Sequence, residues 1–201
     1  MRACYILRVN DARLQKVRRM AEGRLSGLRL VIEDVHDPHN AAAIMRTCDA
    51  LGIQDVWFVF VQEKAYNPRR VGKSSSSSAN KWLSFRTCKS VAECIAALKE
   101  ERYTSIGTVL KDADASTEGY DFLQHEKIAL WFGNEHRGLS EEALAHMDVR
   151  MNMPMRGMVE SLNVSVAAAL FLATIAQGWR GAGRTLDAGA VQTLVEELSG
   201  R

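Results

Sequence analysis

The chain has 201 residues, 47% of them hydrophobic and 25% charged, with 14 glycines and only 3 prolines, which excludes disordered, collagen-like and small disulfide-scaffold classes. One domain of this length buries an adequate core without metal or disulfide. The formal net charge of +2 hides a segregation: residues 1–29 carry eight Lys and Arg against two acids, residues 62–90 carry seven against one, and the remainder is acidic. Two basic segments on an acidic body suit a polyanion-facing side as well as they suit plain solvated faces.

Arg13 to Ala21 reads as a basic helix with a thin apolar line through Leu14, Val17 and Met20, resting on the body as an appendage. Leu28 to Ile32 and Val56 to Val61 are short β-rich apolar runs, and between them Asn40 can cap a helix that ends before Gly52. The run Ser74 to Ser78 reads as a low-complexity surface loop inside the second basic segment. Ser90 and Glu93 form a capping box ahead of the helical face Val91, Cys94, Ile95, Leu98, and a strand is expected near Ser105 to Leu110.

Ile128 to Phe132 is a continuous apolar strand, Ser140 caps a helix whose first turn holds Glu141 and Glu142, and Val149 to Met153 is a further strand. A long helix is expected from about Glu160 to Gln177. Its uncharged stretch carries Ser161, Asn163, Ser165, Thr174 and Gln177, which reads as a core helix and argues against a membrane span. Gly181 to Thr185 reads as a linker and Leu186 to Leu198 as a peripheral amphipathic helix. Strands apolar on both sides and alternating with helices predict an α/β fold, a mostly parallel sheet with helices on both faces and ligands beyond the carboxyl ends of its strands.

Cys4, Cys48, Cys88 and Cys94 show no metal or redox spacing, so no metal is expected, and reduced thiols with no secretory leader point to a cytoplasmic setting. No glycine-rich dinucleotide fingerprint, Walker loop or nucleophile elbow succeeds a strand, which disfavours a nicotinamide oxidoreductase and serine-type hydrolysis. The strands lead instead into Asp37-Pro38-His39-Asn40 with Arg46 six residues on, then Gly133-Asn134-Glu135-His136-Arg137-Gly138-Leu139-Ser140, then Pro154-Met155 running to Ser161-Leu162-Asn163-Val164-Ser165. Each has a modest explanation: Asn40, Ser161 and Asn163 as helix caps, Arg46 as a surface arginine, Glu135 as the partner of Arg137.

In that order and spacing, the three segments resemble the three motifs of the SPOUT class of RNA methyltransferases, most closely the TrmH (SpoU) branch that methylates ribose 2′-hydroxyls of tRNA. The resemblance spans about Leu28 to Gln177 and implies a SPOUT fold with a C-terminal deep trefoil knot and helical extensions at both ends. It implies a basic helical extension over residues 1–27 that contacts RNA, a methyltransferase domain over 28–179, and a linker with C-terminal helix over 180–201.

It also implies S-adenosylmethionine as cofactor, a homodimer with sites at the subunit interface, and no membrane. Carried over residue by residue, the catalytic set is Arg46, Asn40, Glu135, Ser161 and Asn163, with Arg46 either accepting the proton or stabilising the developing alkoxide; its permanent charge makes the second the easier demand. The cofactor set is Thr108, Val109, Leu110, Gly133, Met153 and Leu162. Phosphate contacts are expected from Arg13, Lys16, Arg18, Arg19, Arg69, Arg70 and Lys73. The implied substrate is tRNA, at the D-loop guanosine of position 18, with ribosomal RNA or the wobble nucleotide as alternatives. A non-catalytic RNA-binding module is the alternative of another class.

Overall fold

The computed structural model describes residues 11–71 and 79–200. Arg2, Cys4, Arg8, Lys73 and the Ser74–Ser78 run lie outside them. In chain order the elements are α1 (Asp11–Glu22), β1 (Leu28–Glu33), α2 (Pro38–Leu51), β2 (Asp55–Val59), β3 (Ser84–Cys88), α3 (Val91–Glu100), β4 (Thr104–Thr108), β5 (Ala115–Ser116), β6 (Ile128–Phe132), α4 (Glu141–Leu144), β7 (Val149–Asn152), α5 (Val164–Gly181) and α6 (Ala188–Ser199), with single 3-10 turns at Ala79–Lys81 and Phe122–Gln124. The strands form one sheet in the order β3-β2-β1-β6-β4-β7-β5, and every pairing in it is parallel.

The period of two along a strand divides the core. Leu28, Leu30 and Ile32 of β1 join Phe58, Leu130 and Phe132 beneath α2 and α5, while Val31 joins Trp57, Val59 and Trp131 beneath α3 and α4. Helices therefore cover both faces, as the apolar runs predict. A third, separate cluster holds Val17 and Ala21 of α1 against Val191, Leu194, Val195 and Leu198 of α6, so the two terminal helices stabilise each other beside the body.

Several boundaries differ from the sequence reading. Asp37 caps α2, its carboxylate accepting from the His39 N–H, because Pro38 occupies the first helical position and has no N–H to offer. Asn40 lies inside the first turn and is released for other work. The long helix begins at Val164, with Asn163 as its cap, so Ser161 belongs to the preceding loop. The capping box before α3 is displaced by one residue: Ser90 accepts from the Glu93 N–H, but Glu93 reaches back to the Lys89 N–H. The Gly181 to Thr185 stretch is tied down by a bridge between Leu25 and Thr185 and by Arg184 donating to the carbonyls of Leu123 and His125. Among the described residues no helix is long and apolar enough to cross a membrane.

Candidate active site

Three loops meet beyond the carboxyl ends of β1, β6 and β7. Glu135, in the loop after β6, is the centre. Its carboxylate accepts hydrogen bonds from the His36 N–H (2.9 Å), the Asp37 N–H (3.2 Å) and the Asn40 side-chain amide (2.8 Å). Asn40 in turn accepts from the Asn163 amide at 3.1 Å, and Asn163 turns its own oxygen to the Ser165 N–H at 2.8 Å. One hydrogen-bonded line thus joins the loop after β6 to the starts of α2 and α5. Partial burial works against the Glu135 charge, but donation from Asn40 and the backbone outweighs it and holds the carboxyl below the usual glutamate range. A carboxylate ionised at neutral pH and occupied by three donors serves as an anchor.

The modest reading of Glu135 as the partner of Arg137 fails. Arg137 points away, to Glu63 at 3.1 Å and Asp34 at 3.9 Å. Glu63 also meets His36 Nδ1 at 2.8 Å, and those two partners keep its carboxyl below the ordinary range. Asp34 closes this side: with φ at +50° it turns its carboxylate onto the N–H groups of Val61, Gln62 and Glu63. Asn134 completes the frame, donating to the Asp34 carbonyl at 2.9 Å and accepting from the His136 and Arg137 N–H groups. Sequence reasoning missed this frame of Asp34, Glu63, Asn134 and Arg137. The asparagine beside Gly133 is its one visible signal.

Next to Glu135 opens a cavity of about 340 Å³, within the range of small-molecule sites. All six residues expected to hold the cofactor line it: Thr108, Val109, Leu110, Gly133, Met153 and Leu162, along with Glu135 and Ser161. Gly133 is required by close approach, since a Cβ there would lie 2.1 Å from the Gly138 carbonyl carbon. Leu110, 64% exposed on the rim, offers an apolar surface to a ligand. Apolar walls beside the backbone of the 133–138 turn suit a flat heteroaromatic ring with a polar tail, so the residues fit S-adenosylmethionine. Among the described residues no group of three metal-ligating side chains occurs.

Arg46 is exposed on α2, six residues beyond Asn40 or about 9 Å along the axis, and does not line this cavity. The structure thus joins Asn40, Glu135 and Asn163 directly, places Ser161 at the cavity, and carries Arg46 on the helix that Glu135 anchors. Arg13, Lys16, Arg18 and Arg19 are exposed on α1, and Arg69 and Arg70 on the loop after β2.

The model of the SpoU rRNA methylase family matches residues 27–173. The tRNA (guanosine(18)-2'-O)-methyltransferase of Thermus thermophilus is 36% identical over 165 residues, covering 81% of this chain and 80% of that protein. Among solved structures, the Aquifex aeolicus TrmH/SpoU tRNA modifying enzyme superposes with a TM-score of 0.83 at 24% identity, covering 94% of this chain and 95% of that one. The SpoU methyltransferase AviRb of Streptomyces viridochromogenes, in complex with the cofactor AdoMet, has a TM-score of 0.67 at 25% identity, covering 79% and 60%. With the family model spanning most of the chain and a relative above 30% identity along its length, this protein belongs to the SpoU methylase family of RNA methyltransferases.

Proposed function

We propose that the protein transfers a methyl group from S-adenosylmethionine to a ribose 2′-hydroxyl of tRNA, at guanosine 18. The observation that carries this reading is the coincidence of two features: the cavity lined by Thr108, Val109, Leu110, Gly133, Met153 and Leu162, and the Glu135–Asn40–Asn163 line on its edge. The relative at 36% identity, named for that nucleotide, supports the choice of substrate. Bound in the cavity, the cofactor supplies a methyl group on a positively charged sulfur, already attached to a good leaving group.

The chain's own residues then have to align and activate a sugar hydroxyl. Arg46 engages the ribose and the adjoining phosphate with its planar fork and stabilises the negative charge that develops on the attacking oxygen as the oxygen–methyl bond forms and the methyl–sulfur bond breaks; the hydroxyl proton leaves to the adjoining phosphate or to water, so the guanidinium need not be deprotonated. Glu135, Asn40 and Asn163 fix the start of α2, and hence the helix that carries Arg46. Ser161 at the cavity edge orients the substrate sugar. Arg13, Lys16, Arg18, Arg19, Arg69 and Arg70 hold phosphates outside the pocket, which sets affinity and register with little sequence reading.

Residues 1–27 act as the basic RNA-contacting extension, 28–179 as the methyltransferase domain with its C-terminal trefoil knot, and 180–201 as the linker and terminal helix. The working unit is a homodimer. Supporting this, Val166 and Leu170, one turn apart on α5, are 47% and 44% exposed, and Met158 and Val159 stand out from the loop beside the cavity. A second copy covering this face would sit next to the site. A tRNA substrate places the enzyme in the cytoplasm.

The test is to incubate the purified protein with labelled S-adenosylmethionine and separate tRNA and rRNA pools, then locate the methylated nucleotide by mass spectrometry. Label in tRNA at the ribose of guanosine 18 is expected. Label confined to rRNA, or on a base, would refute the reading.

A further inference from the structure

The two basic segments are far apart in sequence, and a short turn between β2 and β3 connects them in space. Ala79–Lys81 form a 3-10 turn whose middle residue, Asn80, is 5% exposed. Its side-chain amide donates to the carbonyls of Val71 (3.0 Å) and Arg69 (3.1 Å), with that of Pro68 at 3.5 Å. An amide has two N–H bonds, so the two shorter contacts use both, and only Asn or Gln offers such a fork without charge. Asn67 shapes the same loop from within: its side chain accepts from the Arg69 N–H at 3.0 Å and its carbonyl accepts from the Arg70 N–H at 2.9 Å. Arg69 lies over the Phe85 ring at 5.5 Å, and both arginines face solvent.

The same turn is gripped from the other side. The carbonyl of Trp82 accepts from Gln54 at 3.0 Å and from Arg24 at 3.4 Å, and the Trp82 ring packs against the α1–α6 cluster. Arg24, 1% exposed, is itself fixed by Asp49 at 2.6 Å. Four residues of chain therefore touch the loop bearing Arg69 and Arg70 at one end and the base of the helix bearing Arg13 to Arg19 at the other.

We infer that Asn80 is a positioning residue for RNA binding: its amide locks the Asn67–Val71 loop to a turn braced against α1, so that Arg69 and Arg70 meet an RNA backbone in fixed register with the basic helix. The inference rests on the reading of these arginines as phosphate contacts. A preset loop needs no ordering on binding, whereas a loop that occupies its competent shape only part of the time weakens apparent affinity by that fraction.

Binding of unmodified tRNA, measured over a range of salt, should be compared for the wild type, Asn80→Ala, the pair Arg69→Ala/Arg70→Ala, and all three together. If the loop keeps its shape about a tenth to a fifth of the time without the amide, Asn80→Ala binds about five- to tenfold more weakly. Its log–log salt slope should stay close to that of the wild type, since the same phosphates are neutralised once the loop is set, whereas the arginine pair should make the slope shallower by about 1 to 2, one for each phosphate that is no longer neutralised. The KM for tRNA should rise with kcat at saturating tRNA unchanged, and S-adenosylmethionine affinity should stay within about twofold of wild type, since the clamp touches neither. In the arginine-free background, Asn80→Ala should cause no further loss.

Full additivity, or unchanged tRNA binding in Asn80→Ala where the arginine pair has weakened it, overturns the inference. Unchanged binding in the arginine pair itself overturns the phosphate reading and the inference with it. If Asn80→Ala fails to fold, Asn80→Ser, which keeps one donor, replaces it in the same cycle with a smaller expected loss.

Discussion

Replacing Glu135 with glutamine tests whether the carboxylate is an anchor. The substitution keeps size and shape, but it exchanges an oxygen that accepts hydrogen bonds for an amide that cannot. Glu135 Oε1 serves Asp37 and Asn40, and Oε2 serves His36. Whichever way the glutamine amide turns, at least one N–H faces another donor. Losing charge-assisted bonds at a site only partly removed from water costs about 1–3 kcal/mol. In a domain of this length that lowers Tm by about 2–12 °C.

The pH dependence has a definite sign. The carboxyl is held below its ordinary range in the folded protein, so its contribution is complete at pH 7. It declines once the pH drops below the unfolded glutamate value of about 4.3 and vanishes on passing through the lower folded value. Thermal melts of Glu135→Gln and wild type from pH 7 down to pH 3 should therefore show a gap that closes on acidification. A gap absent at pH 7, or one that widens in acid, would refute the anchor.

Gly133→Ala forces a Cβ to within 2.1 Å of the Gly138 backbone, so the 133–138 turn must open; S-adenosylmethionine binding by calorimetry should fall at least about tenfold, and Tm should drop too. Asp49→Ala leaves Arg24 buried at 1% exposure without its charge partner, and denaturant melts should show a loss of about 3–5 kcal/mol, while Arg24→Met, which removes the charge, should cost less. Leu170→Glu places a charge on the apolar α5 face that the proposed homodimer would cover; sedimentation should show the wild type as a dimer and this variant as a folded monomer.

How much is legible in the sequence varies by element. β6 and the apolar face of α6 are plain because a continuous apolar run and a clear period of 3.6 each have one reading. β3 is invisible: Ser84–Cys88 is an edge strand carrying Arg86, half exposed along its length and set within a basic segment, so it has no apolar run to show. The apolar pattern places the start of α5 too early because Met158, Val159 and Leu162 extend it backward, although the chain there forms the loop that edges the cavity.

The site divides in the same way. Its residues are named through the resemblance to SPOUT enzymes, and no periodicity would choose them. The bonds that unite them cannot be read at all, since Glu135 and Asn40 are separated by 95 positions and Asn40 and Asn163 by 123. Asn80 gives no signal, being one polar residue in a polar stretch whose meaning lies in which carbonyls happen to fold around it.

Arg46, carried on a helix anchored by Glu135, is proposed to supply the charge that lets a ribose hydroxyl attack. Single-turnover methyl transfer to tRNA by Arg46→Ala, with S-adenosylmethionine affinity measured on the same protein, tests it most directly. A rate lower by about 100- to 1000-fold is expected, the usual cost of removing one group that stabilises a developing oxyanion, with cofactor affinity within about twofold of wild type. A methyl-transfer rate equal to that of the wild type would contradict it.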